Sequence, residues 1–593
     1  MCGSALSIVR YEVLNLKKLL LGNEAVARGL YEGGCRVASS YPGTPSTEVT
    51  ECAATYDDIY SEWAPNEKVA METALGASIA GARSFCGMKH VGLNVAADPL
   101  FTASYTGVNA GMVIVVADDP GMHSSQNEQD SRHYALASKT MMLEPADSAE
   151  CLSFTKKAYE LSERFDTPVI LRLTTRIAHS RSLCEIGERQ NDDVLPYEKN
   201  IGKYVMMPAN AKGRHVVVED RVLRQTEWAE SEAVTDGINK IEWNDKQIGV
   251  IAAGTCYQYA KEALGSRASY LKLGCVYPLP VKLIEDFAAQ CGTVYVLEEL
   301  DDYIETHCRK HGISVIGKEA FTLQGEYSQT LIEKVILGTE KPILTADVHV
   351  PGRPPVLCAG CPHRGLFYAL KKLNVTVSGD IGCYTLGAMQ PLGTMDTVIC
   401  MGASVSALHG RNKANPDCSG KSVAVIGDST FIHSGVTGLI NIAYNQSNSV
   451  VIILDNSITG MTGHQQNPTT GLTIKGDPTS AVNLEALAEA VGIHRVRVVD
   501  PYDLKQCEET IREELAVDAP SLVISRRPCA LLKKVKHNPP LKVNPDKCRS
   551  CKMCMRIGCP AISFKDGKAV IDFTQCVGCN VCRQLCKFDA IEG

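Results

Sequence analysis

Ser422-Val423-Ala424-Val425-Ile426-Gly427-Asp428-Ser429 is the stretch that decides the fold. A short apolar run that stops at a glycine and an acid reads as a buried strand ending in a turn. Residues 435–445 then carry a helical pattern, and residues 449–454, with Val450-Val451-Ile452-Ile453-Leu454, give the next strand, which ends at Asp455-Asn456. Apolar strands alternating with helices build a parallel sheet covered on both faces. The same alternation runs upstream. Between about residues 22 and 182, a helix-like stretch at 67–83 is followed by Met112-Val113-Ile114-Val115-Val116 and Pro168-Val169-Ile170-Leu171. A shorter unit opens at Ile248-Gly249-Val250-Ile251, includes Val294-Tyr295-Val296-Leu297 and ends near Pro342. The expected architecture is a multidomain α/β protein with α/β domains at 17–190, 246–342 and 350–530. A polar connector fills 191–245, and the cationic, proline-ended segment 533–540 leads to a separate tail at 541–593.

At roughly 150 residues per domain, 593 residues make about four domains. With 45% hydrophobic and 21% charged residues the chain can bury several cores. No apolar run approaches the ~18 residues of a membrane helix, and the first 21 residues lack the cationic segment, apolar core and cleavage site of a secretory signal. A cytoplasmic protein without membrane contact is expected. Net charge is -7 with no long basic stripe, which argues against a nucleic-acid partner.

Cysteine carries the chemistry. Of 25 cysteines, eight fall between Cys548 and Cys586. They form Cys548-x-x-Cys551-x-x-Cys554-x-x-x-x-Cys559-Pro560 and Cys576-x-x-Cys579-x-x-Cys582-x-x-x-Cys586. Structural zinc uses separated C-x-x-C pairs without a third cysteine in step. Two successive triplets are the ligand run of bacterial two-cluster ferredoxins, in which the fourth cysteine of each run serves the other cluster. The expectation is one 4Fe-4S cluster on Cys548, Cys551, Cys554 and Cys586, and a second on Cys559, Cys576, Cys579 and Cys582, in an α+β ferredoxin domain. The first run has one residue more than usual before its last cysteine.

Asn456 lies 28 residues beyond Asp428, each following a strand. This strand, turn, helix and strand spacing resembles the diphosphate and magnesium site of thiamine-diphosphate enzymes. Mg2+ takes about six oxygens and keeps phosphate as a partner; Asp428, Asn456 and the Ile458 carbonyl are the protein's share, beside Gly427 and Ser429, with Gly460 and Gly463 allowing close backbone approach. Ser429 stands where glycine is usual. Thiamine diphosphate also needs a buried carboxylate against its aminopyrimidine ring. Glu67 and Glu72 both lie in a helix rich in small residues, and composition alone does not choose between them.

Taken together, Tyr41-Pro42-Gly43-Thr44-Pro45-Ser46-Thr47, the helix running to Ala80-Gly81-Ala82, Gly427-Asp428-Ser429 with Asp455-Asn456, and the cysteine tail resemble the 2-oxoacid:ferredoxin oxidoreductases over nearly all of the chain. Their order resembles the large subunits of the indolepyruvate branch. Counting back from Ala-Gly-Ala, the resemblance puts the ring-binding glutamate at Glu67 and lines the reacting end with Thr44. It implies oxidative decarboxylation of an aryl 2-oxoacid, best matched by indole-3-pyruvate, with CoA as acyl acceptor, ferredoxin as electron acceptor, and a smaller beta subunit in an α2β2 assembly. Relatives often carry Asn where Met461 stands, implying a less polar pocket.

Cys358-x-x-Cys361, Cys383 and Cys529 read on spacing alone as two near thiols and two more, with buried structural cysteines the plain alternative. In pyruvate-oxidising relatives similar positions hold a third cluster; on the same basis Asp380, Tyr384, Met401 and Gly402 line the cofactor pocket. Among the histidines near these motifs, His433 is the expected pocket member. Arg132 is either a bidentate partner for a substrate carboxylate or a solvated loop residue. The alternatives in function are a sister enzyme for pyruvate, 2-oxoglutarate or branched oxoacids, and an electron-carrier subunit without thiamine chemistry, for which Ser429 is the only support.

Overall fold

The computed structural model describes residues 16–190, 193–342, 345–352 and 354–593, which divide into two units between Thr345 and Ala346. In the first unit, every residue of Ser84–Lys89, Met112–Asp118 and Val169–Thr174 is buried, and these strands form the centre of a seven-stranded sheet. Across it run Cys275–Tyr277, Met142–Leu143, Val169–Thr174, Met112–Asp118, Ser84–Lys89, Val37–Ser40 and Tyr60–Trp63. All neighbours are parallel except the first pair. Side chains alternate between faces along a strand, so Val113 and Val115 pack with Val26, Leu30 and Ala158, while Ile114 and Val116 pack with Ala70, Met71 and Leu100. A parallel sheet covered on both sides leaves only the ends of its strands for chemistry.

The same unit carries a second sheet, ordered Thr293–Leu297, Ile248–Ala253, Ser269–Leu273 and Lys240–Glu242, with the last strand antiparallel. The stretch read as a polar connector contains the 23-residue helix Pro208–Glu230. Its buried positions are Val218, Arg221, Gln225, Trp228 and Ala229. They follow the three-to-four spacing of a helix, but two are polar, so hydrophobic periodicity does not reveal the stripe.

In the second unit a wholly parallel six-stranded sheet runs in the order Thr397–Val398, Thr376–Gly379, Ser422–Gly427, Val450–Asp455, Ser521–Arg526 and Val496–Val499. Val423 and Val425 pack with Leu366, Phe367 and Ile511 on one face; Ala424 and Ile426 pack with Leu408, Leu439 and Ile442 on the other. The cysteine tail belongs to this unit. It is built from the antiparallel pairs Lys542–Val543 with Ile591–Glu592 and Ile562–Lys565 with Lys568–Ile571. Its small core of Leu541, Ile557, Ile562, Val581, Leu585 and Ile591 is completed by its own cysteines and by Leu504. The Arg364 guanidinium donates to the Ile557 carbonyl at 3.2 Å, and Gln584 donates to the Tyr502 carbonyl at 2.6 Å. Among the described residues, no helix is long and apolar enough to cross a membrane.

Candidate active site and cluster pockets

Asp380, Asp428 and Asn456 stand at the C-terminal ends of three adjacent parallel strands of the second unit, where ligands of such sheets bind. Asp428 is 2% exposed. Its Oδ1 accepts the Ser429 N–H at 2.9 Å, and its Oδ2 accepts the Thr469 hydroxyl at 3.2 Å. Burial, reinforced by the negative charge of Asp455, pushes its carboxyl up to about 7. The Asn456 amide oxygen faces acceptors only: the Ile458 carbonyl at 2.8 Å and Asp428 Oδ1 at 3.3 Å. An octahedral Mg2+ with oxygens at about 2.0–2.1 Å has edges of about 2.9 Å between them. Turning the amide end for end would make hydrogen bonds of both contacts. As placed, the three oxygens form a donor set that fits a divalent ion.

The surrounding residues explain why the chain takes this form. A Cβ on Gly427 would lie 2.6 Å from Tyr384 Cε1, so the strand end passes over the tyrosine ring only as glycine. Ser429, at the usual glycine position, accepts the Thr459 hydroxyl at 3.0 Å and so ties the turn to the loop beyond Ile458. Gly463 has φ +126°, whereas a Cβ on Gly460 would meet Cys383 Sγ at 3.5 Å and Ile458 Cγ2 at 3.9 Å, ordinary contacts. Asp380 is fully buried, and its oxygens accept the N–H groups of Ile381, Gly402 and Ser404, each at 2.9 Å. It braces the start of the helix Ala403–Ala414, and Met401-Gly402 lead into that brace. Gly402 has φ +84°, and a Cβ there would lie 2.5 Å from Ser434 Cβ. His433 is buried in the wide turn Phe431–Gly435, paired with the Ser434 hydroxyl. Such one-turn widenings mark functional helix starts. Met461 is 52% exposed on the loop.

In the first unit the structure separates the two candidate carboxylates. Asn66 caps the helix Glu67–Ile79 by accepting the Val69 N–H. Glu67, in its first turn, is 5% exposed, and Gly92 presses against its carboxylate so closely that a Cβ there would lie 2.6 Å from Oε1. Glu72 is exposed and paired with Lys68. Thr44 is half-buried in the loop after the strand Val37–Ser40.

The tail thiols gather in two groups. Cys548, Cys551, Cys554 and Cys586 line one pocket with Phe564, Phe588 and Ile591. Cys559, Cys576, Cys579 and Cys582 line another with Leu541, Ile562 and Val581. The Leu541 N–H points at Cys576 Sγ at 3.4 Å and the Ala590 N–H at Cys586 Sγ at 3.3 Å; such bonds favour the thiolate and raise a cluster's potential.

Cys358, Cys361, Cys383 and Cys529 are also brought together. The Cys361 N–H bonds the Cys358 carbonyl at 3.1 Å, and the Cys529 N–H bonds the Asn456 carbonyl at 2.9 Å. Burial, then Cys358 and Cys383, push the Cys361 thiol to about 12; burial, then Cys529 and Cys358, push Cys383 to about 11.

Arg132 is a correction. It is 1% exposed, ion-paired with Asp130 and, at 2.5 Å, with Glu298, and it donates to the Glu299 and Asp301 carbonyls at 3.1 and 3.2 Å. Its guanidinium is spent inside the protein, where a buried cation is tolerated only with such partners. It does not lie in solvent. Two residues were missed from sequence. Thr469 bonds Asp428 from a loop with no periodic signal. Lys89 ends the buried strand Ser84–Lys89, and a lysine closing an apolar strand was the available sign.

The family model described as "Pyruvate flavodoxin/ferredoxin oxidoreductase, thiamine diP-bdg" matches residues 28–242, and that described as "Thiamine pyrophosphate enzyme, C-terminal TPP binding domain" matches residues 380–525. "Indolepyruvate oxidoreductase subunit IorA" of Archaeoglobus fulgidus is 39% identical over 614 residues, covering 97% of each chain. The subunit of the same name from Pyrococcus abyssi is 41% identical over 640 residues, covering 99% of this chain and 98% of its own. The chain belongs to the IorA family of 2-oxoacid:ferredoxin oxidoreductases. A more distant relative, "2-oxoglutarate synthase subunit KorA" of Methanothermobacter thermautotrophicus, is 24% identical over 47% of this chain and 86% of its own. This IorA-family chain is a thiamine-diphosphate-dependent 2-oxoacid oxidoreductase, with Thr44 and Glu67 inside the first matched region and Asp428 and Asn456 inside the second.

Proposed function

We propose that the chain catalyses oxidative decarboxylation of an aryl 2-oxoacid, indole-3-pyruvate above others, to the acyl-CoA, passing electrons one at a time through its clusters to ferredoxin. The observation that carries this is the convergence of Asp428 Oδ1, the Asn456 amide oxygen and the Ile458 carbonyl beside four gathered thiols, Cys358, Cys361, Cys383 and Cys529. Thiamine diphosphate, when bound, supplies the carbon that adds to the ketone and takes up the electron pair left by CO2. The chain's own residues do the rest. Asp428, Asn456 and Ile458 are the residues that would hold Mg2+ beside the diphosphate, with Gly427 and Ser429 forming the turn. Glu67, buried against Gly92, holds a proton at the pyrimidine ring, and Thr44 lines the reacting end. His433 and Met461 line the substrate side. Asp380, Tyr384, Met401 and Gly402 fix the floor.

In this reading the four thiols beside Asn456 take a third 4Fe-4S cluster next to the electron source, and the eight tail cysteines carry two more in a ferredoxin domain, grouped as their two pockets group them. The aryl preference draws on the names of the full-length relatives and on the apolar Met461. Those names also support a smaller partner subunit, in an α2β2 complex. The test is anaerobic turnover by the co-purified complex with CoA and ferredoxin over indole-3-pyruvate, phenylpyruvate, pyruvate, 2-oxoglutarate and a branched 2-oxoacid. The aryl substrates should show the highest kcat/KM; a leading branched or 2-oxoglutarate activity overturns the substrate reading.

A further inference from the structure

Lys89 ends the strand Ser84–Lys89 and is only 7% exposed. Its ammonium donates to the Ser124 carbonyl, and among the described residues no carboxylate lies within ion-pair distance of it. Burial pulls its pKa down, and the charge of Asp119 opposes this. Asp119 is held by other donors, its oxygens accepting the Ser124 N–H at 2.9 Å and the hydroxyls of Ser125 and Thr175 at 2.5 and 2.7 Å, and its charge acts on Lys89 without forming an ion pair with it. An ammonium removed from water with one neutral acceptor is costly unless an anion joins it.

The position of this cation narrows the choice of anion. A Cβ on Gly43 would lie 3.2 Å from Lys89 Cβ, so the backbone leading into Thr44 runs directly over the lysine stem. The next residue, His90, is 1% exposed; its Nε2 lies 3.3 Å from the Asn127 carbonyl, and its Nδ1 is buried without a partner. Two residues further on, Gly92 touches the Glu67 carboxylate. Thr44, Glu67, Lys89 and His90 therefore surround one end of the sheet, and the lysine is a buried cation there with no ion pair among the described residues.

We propose that Lys89 is the anchor for the carboxylate of the 2-oxoacid, with the His90 Nδ1 as a second polar contact beside it. The inference rests on the 2-oxoacid reading above and adds the residue that recognises the acid. Arg132, read from sequence as either a carboxylate partner or a solvated loop residue, is ion-paired with Asp130 and Glu298. Lys89 takes the carboxylate role.

The experiment uses the anaerobic holo-complex and two inert probes of one shape, indole-3-propionate and its neutral amide. By calorimetry the wild type should prefer the carboxylate. Lys89→Met should weaken indole-3-propionate by at least about tenfold, the loss expected for one charge-assisted bond, and leave the amide within about twofold; Lys89→Arg should keep most of the preference. An unchanged preference in Lys89→Met overturns the inference. A second measurement needs no variant: amine acetylation of the wild type, read at Lys89 by mass spectrometry, should be slowed by indole-3-propionate and not by the amide. Absent protection, or equal protection by thiamine diphosphate alone, assigns the cation elsewhere and overturns the anchor. A wild-type complex that oxidises no 2-oxoacid sinks the underlying reading; one that does so while Lys89→Met keeps its preference sinks the anchor alone.

Discussion

The Asn456 amide oxygen stands 3.3 Å from Oδ1 of Asp428, two acceptors at the ends of neighbouring strands. A turned amide would donate to both Asp428 Oδ1 and the Ile458 carbonyl at 2.8 Å, whereas a cation would be held by all three oxygens, and only the cation depends on the Asp428 charge. Asp428→Asn keeps the shape and removes the charge. It should weaken magnesium-dependent thiamine diphosphate binding at least about tenfold, the scale of a lost charged contact. Equilibrium binding with and without Mg2+ checks this, and equal retention in variant and wild type contradicts it.

Glu67→Gln should leave folding and iron content intact and lower turnover by at least about a hundredfold, the usual worth of a positioned proton donor or acceptor. Glu72→Gln, on an exposed side chain paired with Lys68, should change turnover by less than about twofold. Steady-state assays of both variants decide between them.

Iron content counts the clusters. Wild-type complex purified without oxygen should approach twelve irons per chain, about four per cluster. Replacing Cys358 and Cys361 together by Ala should bring the count to about eight while thiamine diphosphate stays bound. Deleting the tail is the poorer test, because Leu504 and Tyr502 pack against it. About eight irons in the wild type would leave Cys358, Cys361, Cys383 and Cys529 as core thiols.

Glu299 supplies a pH dependence away from the cofactors. It is 6% exposed, accepts the Tyr327 N–H at 2.8 Å, and burial, aided by the charges of Glu326 and Glu144, pushes its carboxyl up to about 7. A folded pKa above the unfolded value of 4.5 gives stability that is complete below 4.5 and lost as pH rises through about 7. Glu299→Gln keeps the accepting oxygen without the ionisation. Relative to wild type it should gain about 2–3 kcal/mol between pH 5 and pH 8, read from urea midpoints at the two pH values; parallel curves would contradict the assignment.

Much of this is legible in the sequence, for physical reasons that differ by region. The strands around Gly427 and Asp455 are buried on both faces, so their continuous apolar runs and the acids that end them marked both sheet and site. The tail was legible because cysteine spacing alone set which thiols would share a pocket. The helix Pro208–Glu230 was not, because its buried stripe includes Arg221 and Gln225. The place of Arg132 was not legible because a guanidinium in a polar stretch looks the same whether it meets solvent, substrate or, as here, Asp130 and Glu298. Lys89 went unseen because the burial of its ammonium is a property of the fold and not of the neighbouring residues.

The most direct test of the account mixes the anaerobic complex with indole-3-pyruvate, without external acceptor, and follows the visible iron–sulfur absorbance. The account predicts bleaching by the 2-oxoacid in the wild type, absent in Glu67→Gln although dithionite still reduces that variant's clusters. Clusters that dithionite reduces in the wild type but that no 2-oxoacid bleaches would contradict it.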